Sequence, residues 1–408
     1  MRLCMMMMVL LFGTLSTRAQ WGCPDPQATN YSASATQNDG SCLYNNTAYT
    51  LPLRDTLDTL LREVSGMIYR NGKLYAHNDS GSPNVLYEVD TATGAITKTL
   101  ILGTKTNVDW EDITQNGTHI FVGDFGNNLG NRQNLVIYKF PATWLTQAGT
   151  TVTIPDAQIE SLHFSYPDQT SFSNNASTRF DCEAMAWRSN ALHLFSKNHS
   201  GGACYHYKLP DTAGTFVATL LDSLNTQQYE ITAADFASNK QLMLMGYQTT
   251  GLAYCAFWYI YDFSSADSCF KTGNKRRIDL GSAILNGQVE ALCFSDTSGG
   301  FVSNERFVYT NPPVDVPNQL YRFSTKAWYP YVYPNGVSEV VFSEPGYNLH
   351  EREIQLMQPG VLQVYSMSGQ LLERISEGKR DLNLPAGTYI FQWQARGKAP
   401  VSEKKVLR

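Results

Sequence analysis

Five segments of this chain repeat one order of features, and that repetition limits the folds open to the sequence. Each segment has a short first strand pattern, a second one about nine to eleven residues later, and a third that alternates aromatic or apolar with polar residues. The first patterns are SGMIY from Ser65, EDITQ from Glu111, EAMAW from Glu183, TAADF from Thr232 and EALCF from Glu290. Small antiparallel sheets that recur roughly every 46 to 72 residues must stack around an axis, as the blades of a β-propeller do.

Fourth strands fit where the chain leaves room, as in AITKTLIL from Ala95 and ESLHFSY from Glu160. The last repeat has no obvious fourth strand before residue 330, whereas AYTLPLRD at 48–55 precedes the first repeat. Because open sheet edges invite aggregation, we predict that 48–55 pairs with the last blade and closes the ring. The repeats predict five blades, and the long 141–180 connection leaves room for a sixth.

The composition of the 408 residues agrees with an all-β chain. Aromatic residues make up 12% and charged residues only 16%, which favours strands joined by turns over charge-rich helices. We therefore predict four parts: a signal peptide at 1–19, a short disulfide-bounded module at 20–47, the propeller at 48–329 and a small β-sandwich at 330–408.

The first nineteen residues have the pattern of a secretory signal. Arg2 is followed by an apolar run from Met5 to Leu15 and by Thr17-Arg18-Ala19, which suits a signal peptidase. A mature chain from Gln20 would carry 29 basic and 36 acidic residues, a formal charge of -7. That charge argues against binding nucleic acid through a basic face, and no other stretch is long and apolar enough to predict a transmembrane helix.

Eight cysteines are present, and Cys4 would leave with the signal peptide. Export implies an oxidising environment, so disulfides are expected among the remaining seven. Cys293, in the apolar segment EALCF, is expected to be buried and unpaired. The predicted pairs are Cys23 with Cys42, Cys182 with Cys204, and Cys255 with Cys269.

The segment GCPDPQATNYSASATQNDGSC at 22–42 is too short to form a core. It resembles the cysteine-bounded modules found near the start of many bacterial secreted proteins. One disulfide that closes such a loop contributes about 3 kcal/mol on the usual model. We expect a spacer here, with calcium binding as the alternative, because Asp25, Asn30, Asn38 and Asp39 offer oxygen ligands.

The chain changes character after about Trp328 and ends in several short strand patterns separated by glycine turns, which predict the β-sandwich. The motifs YPN, VYSMSGQLL, LPAGTY and KKVLR occur there in that order. They closely resemble the carboxy-terminal sorting domain of the type IX secretion system, although Gly336 stands where a proline is usual. The resemblance implies export by that machinery through the periplasm, to a secreted or surface-attached location. A terminal β domain of unrelated role is the alternative.

The aligned repeats place three glutamates at the start of the innermost strands, where they should ring the channel axis. Oxygen ligands from several blades suit a hard cation such as calcium. The candidate ligands for a metal or a polar group are Asp109, Glu111, Asp124, Asp181, Glu183 and Glu290. The ends of the second strands supply candidate rim residues: His77, Asn78, Asp79, Asn127, Asn128, Arg132, Lys197, His199, Asn304 and Glu305. The alternative is that these acids brace the blade turns and pair with Lys197 and Arg132.

The motifs DWEDI, GDFGNNLGNR, YPD, DCEAM and SKN resemble exported propellers grouped as esterase-like or phytase-like. That resemblance implies, at most, a calcium-supported hydrolase of esters or phosphoesters. The sequence lacks the GxSxG, HExxH, P-loop and GxGxxG signatures, so catalytic residues stay unassigned. The first hypothesis is a propeller that binds an extracellular glycan or protein. The alternative is a calcium-dependent esterase or phosphoesterase acting on a small ester in the channel, with His77 and His199 as proton carriers.

Overall fold

The structure is a computed structural model and describes residues 20–250, 253–310, 313–329, 347–350, 353–356, 360–366, 370–376, 379–385, 387–395 and 401–407. The predicted signal peptide at 1–19 lies outside the described residues. The chain divides into two compact units, one ending at Ser324 and the other beginning at Thr325. We describe each unit by itself.

The first unit is an all-β propeller, as predicted. Four short strands precede its blades: β1 (Trp21–Gly22), β2 (Gln37–Asn38), β3 (Thr47–Ala48) and β4 (Leu53–Thr56). Blade 1 contains β5 (Val64–Arg70), β6 (Lys73–Asn78), β7 (Val85–Val89) and β8 (Ile96–Leu102). Blade 2 is built from β9 (Trp110–Gln115), β10 (His119–Asp124), β11 (Val136–Pro141) and, after β12 (Thr151–Ile154), β13 (Glu160–Ser165).

Blade 3 contains β14 (Asp181–Arg188), β15 (Ala191–Lys197), β16 (Ala203–Pro210) and, after β17 (Gly214–Val217), β18 (Thr219–Asn225). Blade 4 contains β19 (Glu230–Ser238), β20 (Gln241–Tyr247), β21 (Tyr254–Tyr261) and β22 (Asn274–Ser282). Blade 5 contains β23 (Gln288–Asp296), β24 (Gly299–Glu305) and, after the hairpin β25 (Phe307–Thr310) and β26 (Pro313–Val316), β27 (Gln319–Ser324). The innermost strands β5, β9, β14, β19 and β23 contact one another in cyclic order.

Pairing of the outer strands closes and braces the ring. Strand β4 pairs antiparallel with β27 of blade 5, with Asp55 opposite Leu320, which confirms the predicted closure by 48–55. The 141–180 connection supplies β12, which joins the outer edge of blade 1, and β13, the fourth strand of blade 2. Strand β17 extends blade 2 and β3 extends blade 4. Neighbouring segments thus share outer edges and cover sheet edges that would otherwise be open.

The hydrophobic periodicity explains how the blades pack. Alternating strand residues point to opposite faces, so each blade presents an apolar face to the blade on either side. Ile137 of blade 2 packs with Met185 and Leu194 of blade 3, as the third-strand alternation predicted. Tight hairpins join the strands, and Asn71 and Gly72 adopt the two left-handed conformations of a type I′ turn.

Helical segments are few in the described residues. The α-helices are α1 (Cys269–Thr272) and α2 (Ala283–Asn286), and short 3₁₀ helices cover Thr59–Leu61, Ala142–Thr146, Asp156–Gln158 and Ala266–Ser268. None of the described helices is long and apolar enough to cross a membrane.

Of the three predicted disulfides, only Cys23–Cys42 forms. The other two pairs are wrong, because Cys182, Cys204, Cys255 and Cys269 are buried free thiols. The first and third strands of blade 3 carry Cys182 and Cys204, and with β15 between them they lie about 10 Å apart, too far for a disulfide. Cys255 lies near the start of β21, whereas Cys269 follows its far end, so roughly 20 Å of strand separates them.

The disulfide-bounded module packs against blade 4. Oδ2 of Asp25 accepts hydrogen bonds from the hydroxyls of Tyr44 and Tyr261, and Nδ2 of Asn38 donates to the Asp262 carbonyl. Backbone amides of the module donate hydrogen bonds to the side-chain oxygens of Asn30, Asn38 and Asp39. These bonds account for the polar side chains as braces of a spacer, without a calcium ion.

The second unit contains two sheets. One is formed by β28 (Tyr347–His350), β29 (Glu353–Leu356) and β32 (Lys379–Asp381), and the other by β30 (Gly360–Ser366), β31 (Leu371–Ile375), β33 (Gly387–Ala395) and β34 (Val401–Leu407). Ile354 of the first sheet and Val364, Phe391 and Trp393 of the second share one apolar core. The predicted small β-sandwich is therefore the architecture of this unit, whereas the YPN motif lies outside the described residues.

Candidate metal centre

A β-bulge lies at the aligned repeat position in every blade. The pairing register between first and second strands shifts around Ser65, Glu111, Glu183, Thr232 and Glu290. A bulge inserts an unpaired residue and re-aims its side chain, so the repeated position is specified by a local break in the ladder. All five residues are buried at the channel end where the first strands begin. We call this end the acidic mouth.

Asp79, Asp109 and Glu111 form the most compact acidic group at this mouth, which we call the acidic triad. Each offers a carboxylate oxygen, and these oxygens lie within 4.8 Å of one another. Asn107 fixes the two loops that carry the aspartates, because its Nδ2 donates to the Asp79 carbonyl at 2.8 Å and its Oδ1 accepts from the Trp110 amide at 3.0 Å. The triad is thus held by backbone contacts rather than by a basic side chain.

Burial and mutual repulsion disfavour the charged form of the triad. Burial, followed by the charges of Asp79 and Asp181, raises the pKa of Asp109 to about 7. Burial and then the Glu183 charge raise the pKa of Glu111 well above its ordinary value, and burial also raises that of Asp79. Arg132 is the one described cation in ion-pair range of the triad, with Nη1 3.9 Å from Oδ2 of Asp109. Positive charge beyond that of Arg132 would therefore stabilise the ionised triad.

Gly126 packs directly against the triad. A Cβ atom at this position would lie 2.1 Å from Oε1 of Glu111 and 2.5 Å from Oδ2 of Asp109. Any side chain would therefore displace two of the three carboxylates. The absence of a side chain at Gly126 is a steric requirement of the site.

The opposite side of the mouth contains a buried ion pair. Nζ of Lys197 lies 2.6 Å from Oε1 of Glu183 and 3.4 Å from the Tyr247 hydroxyl. Burial alone would lower the pKa of Lys197, but Glu183 and then Tyr247 and Glu290 outweigh it, so the pKa lies well above the ordinary value. Gln288 donates to the Tyr247 hydroxyl at 3.0 Å and completes this polar cluster.

His199 bridges blades 3 and 4. Its Nε2 lies 2.8 Å from Oδ2 of Asp181 and its Nδ1 lies 3.0 Å from Oε2 of Glu230. These two hydrogen bonds raise the pKa of His199 to about 9, so the ring is an imidazolium at neutral pH. His77 is different: it is fully buried, its Nδ1 lies 3.1 Å from the Asn78 carbonyl, and burial lowers its pKa to about 4.

Several predicted site residues brace the loops of the mouth instead of facing the channel. Asp124 accepts hydrogen bonds from the Asp109 amide at 3.1 Å and from Nη2 of Arg132 at 2.8 Å. Asn127 donates its amide to Asp181 and its Nδ2 to the Phe180 carbonyl. These contacts match the bracing alternative for Asp124, Asn127 and Arg132.

The remaining rim candidates fall into two groups. Asn78 donates to the Leu60 carbonyl at 2.6 Å, and Asn304 is fully buried and donates to the Pro317 carbonyl at 2.9 Å, so both brace loops. Glu305 belongs to the mouth, where burial and then the Glu290 charge raise its pKa well above the ordinary value. Asn128 is exposed on the rim.

Sequence reasoning missed Glu230, Gln288, Tyr247 and Gly126. Glu230 and Gln288 lie two residues before Thr232 and Glu290, as Asp109 and Asp181 lie before their glutamates. The repeat alignment therefore contained a signal for those two. Tyr247 and Gly126 had none, because their roles depend on contacts between blades and on loop shape.

Comparison with known proteins adds no argument to the geometry described above. No family model matches the chain, and no curated protein matches it either. Among solved structures, a PQQ-bound aldose sugar dehydrogenase from Streptomyces coelicolor has 9% identity, 68% coverage of this chain, 99% of its own and a TM-score of 0.37. Regucalcin from Agrobacterium tumefaciens, a calcium-binding protein, has 12% identity and a TM-score of 0.37; the match covers 68% of this chain and 95% of regucalcin. An exo-β-1,3-galactanase from Clostridium thermocellum has 12% identity and a TM-score of 0.43; the match covers 85% of this chain and 80% of the galactanase. At these scores the likenesses carry no argument about ligand or activity.

Proposed function

We propose that the acidic mouth binds a divalent cation, calcium by preference, and that the propeller uses it to bind a hydroxyl-rich extracellular glycan. The observation that carries the proposal is the acidic triad, whose three carboxylate oxygens lie within 4.8 Å of one another. Carboxylates in this arrangement repel one another and are stabilised when a cation joins them. Because Gly126 has no side chain, the carboxylates of Glu111 and Asp109 can both lie against it.

The spacing and chemistry of the triad fit calcium. Calcium–oxygen distances of about 2.3 to 2.6 Å place ligands on opposite sides of the ion about 4.6 to 5.2 Å apart, whereas magnesium requires about 4.0 to 4.2 Å. Oxygen-only ligands without a thiolate or imidazole also disfavour zinc. Three carboxylates leave further coordination positions, which ligand hydroxyls can fill.

The charge of the mouth favours a neutral ligand. Eight carboxyl groups converge there: Asp79, Asp109, Glu111, Asp181, Glu183, Glu230, Glu290 and Glu305. Three basic groups oppose them: Arg132, Lys197 and His199. One divalent cation does not reverse this excess, so a phosphate or carboxylate ligand would be repelled. Sugar hydroxyls coordinate a hard cation without adding charge.

Exposed apolar side chains surround the acidic mouth and can cover the faces of sugar rings. They lie in segments that follow second strands or precede first strands, or at the start of a third strand, which places them at the same end as the triad. These residues are Leu129, Phe172, Tyr254, Leu285 and Val308, with 38% to 71% of their surfaces exposed. A site with a central cation and an apolar rim suits a glycan longer than one sugar.

The hydrolase alternative has less support. It needs a proton carrier beside the metal, and His77 and His199 were the candidates. His77 is buried with a pKa of about 4, and both ring nitrogens of His199 are bound by carboxylates. The basic cluster that phosphate transfer requires is also missing from the described mouth.

We further infer that the protein acts outside the cell, secreted or surface-attached. The signal-like segment at 1–19 and the tail that resembles a type IX sorting domain support this. The Cys23–Cys42 disulfide is compatible with an oxidising compartment. Fractionation of a type IX-competent host expressing the chain with and without residues 325–408 tests it: we expect the truncated form to remain in the periplasm, and equal export of both forms would contradict the inference.

Glycan-array binding in calcium and in chelator tests the first proposal. We expect a calcium-dependent part of the binding that disappears in chelator and in Glu111→Gln, while Glu160→Gln, an exposed carboxylate in blade 2 that pairs with Lys139, behaves as wild type. Chromogenic esters and phosphoesters are assayed alongside. Calcium-dependent turnover lost in Glu111→Gln, without glycan binding, would favour the hydrolase instead.

A further inference from the structure

The opposite end of the channel contains a second cavity, of about 410 Å³, where the first strands of four blades end. This volume lies within the range of about 300 to 1,000 Å³ that is typical of small-molecule sites. The lining residues that matter here are Gln115, Trp187, Arg188, Asp235, Phe236 and Ser295. None of them belongs to the acidic mouth.

The walls of this cavity are fixed by hydrogen bonds before any ligand arrives. Nε1 of Trp187 donates to Oδ2 of Asp211 at 2.8 Å, which sets the plane of the indole. Gln115 is held from two sides, because its Oε1 accepts from Nη1 of Arg70 at 2.9 Å and its Nε2 donates to the Tyr69 carbonyl at 2.8 Å. A preorganised wall lowers the entropic cost of binding.

Arg188 has donor capacity that the fold does not use. Its Nη2 donates to the Phe236 carbonyl at 3.0 Å, but Nη1 makes only a 3.4 Å contact with exposed Asn239, and the buried Nε has no acceptor among the described residues. The guanidinium carbon lies 5.6 Å from the centre of the Phe236 ring. A partly buried guanidinium with unmet donors gains stability from an oxygen acceptor supplied through the cavity.

Asp235 faces Arg188 across blades and balances its charge. Its Oδ2 accepts from the Phe294 amide at 2.8 Å, and the charge of Arg188 acts on its carboxyl group. Arg188 and Asp235 offset each other's charge at the inner wall, and the second carboxylate of the lining, Asp296, is exposed to water. The cavity therefore combines a partly exposed indole, an unsatisfied donor and an acceptor, which suits a neutral ring with hydroxyl groups.

We propose that this cavity is a second binding site, independent of calcium, for one or two neutral sugar rings. The ring stacks on Trp187, and its hydroxyls accept from Arg188 and donate to Asp235. The proposal does not rest on the cation at the acidic mouth, because the two sites lie at opposite ends of the channel. It predicts that sugar binding survives when the acidic mouth is disabled.

The test uses the full chain, tryptophan fluorescence and saturation-transfer NMR, with glucose, galactose, N-acetylglucosamine and their β-linked disaccharides as probes. We expect saturable binding of at least one probe in chelator and in Glu111→Gln, weakened at least tenfold in Arg188→Met. Thr297→Trp should also weaken it, because this exposed lining residue can block the cavity. Thr219→Trp, an exposed residue of β18, is the matched control and should bind as wild type.

Three results would overturn this proposal. The first is the absence of saturable binding by every probe. The second is unchanged binding in Thr297→Trp, which tests the cavity even if Arg188→Met folds poorly. Binding that disappears in chelator would assign the sugars to the acidic mouth and equally refute a second site. Loss of calcium binding with retention of sugar binding would refute only the function proposed for the acidic mouth.

Discussion

Asp109 should lower the stability of the metal-free propeller as the pH rises from 5 to 7, measured relative to an Asp109→Asn variant. Asp109 causes the effect, because burial, Asp79 and Asp181 raise its folded pKa to about 7 from an ordinary 3.8. A raised carboxyl pKa means that the folded state binds the proton more tightly than the unfolded state does. The stability contributed by the neutral carboxyl is therefore present at low pH and is lost as the pH rises through 7.

The magnitude follows from the same pKa. A rise from 3.8 to about 7 corresponds to about 4 kcal/mol for a fully buried group. Only about 2 kcal/mol of this falls between pH 5 and pH 7, and the Asp109 side chain retains 16% of its exposure, so water screens part of the effect and we expect a loss of about 1 to 2 kcal/mol over this interval. Burial raises the pKa of Asp235 to about 6, so Asp235 also lowers the unfolding free energy as the pH rises. A change at Asp109 leaves that contribution unaffected.

Thiol labelling during urea denaturation measures this loss in the propeller alone. All five buried free cysteines lie in the first unit, and residues 325–408 contain none. In chelator, the unfolding free energy from labelling of Cys293 should fall by about 1 to 2 kcal/mol between pH 5 and pH 7 relative to that of Asp109→Asn. Calcium should restore stability most strongly at and above pH 7.

Two results would refute the reasoning. One is an Asp109→Asn variant with the same pH dependence as the wild type, which would show that Asp109 does not hold its proton more tightly in the folded state. The other is a wild type that gains more stability than the variant between pH 5 and pH 7. Other groups, such as the buried His77 and His193, whose pKa burial lowers to about 4 and about 3, add stability as the pH rises, but they are present in both proteins and cancel in the comparison.

Three further predictions concern the mouth, the blade contacts and the cysteines. Gly126→Ala should abolish calcium binding measured by calorimetry, because its Cβ collides with the acidic triad, while Gly72→Ala should bind calcium as wild type, because its Cβ meets nothing and its left-handed turn lies at the opposite end of blade 1. The imidazole of His199 should titrate near pH 9 by NMR, and His199→Gln should cost about 2 to 3 kcal/mol at pH 6 and much less above pH 9, because a raised pKa stabilises the fold only below it. Peptide mapping without reductant should find Cys23–Cys42 and no other disulfide.

Sequence periodicity predicted most of the fold because blade strands are local. Their alternation and turns are set by neighbours in the chain, so the fourth strand from Glu160 and the closure by 48–55 could both be located. The disulfides failed for the opposite reason. Closeness in sequence placed Cys182 near Cys204, but strand order within the blade separates them by one strand.

The acidic site was predicted in part. Aligned bulges identified Glu111, and the residue two positions earlier identified Asp109. The third triad member, Asp79, was assigned only to the rim. Its distance from Glu111 depends on the relative orientation of blades 1 and 2. Asp124 was wrongly grouped with possible ligands, since its carboxylate is used by backbone amides and Arg132.

Calcium titration by isothermal calorimetry tests the central claim most directly. It is done on the wild type and on Glu111→Gln, after exhaustive chelation, at about pH 7.5. The acidic triad predicts one calcium site per chain in the wild type, with proton release as Asp109 ionises, and no measurable site in the variant. A wild type without calcium binding, or a variant that binds calcium as the wild type does, would contradict a metal centre at the acidic mouth.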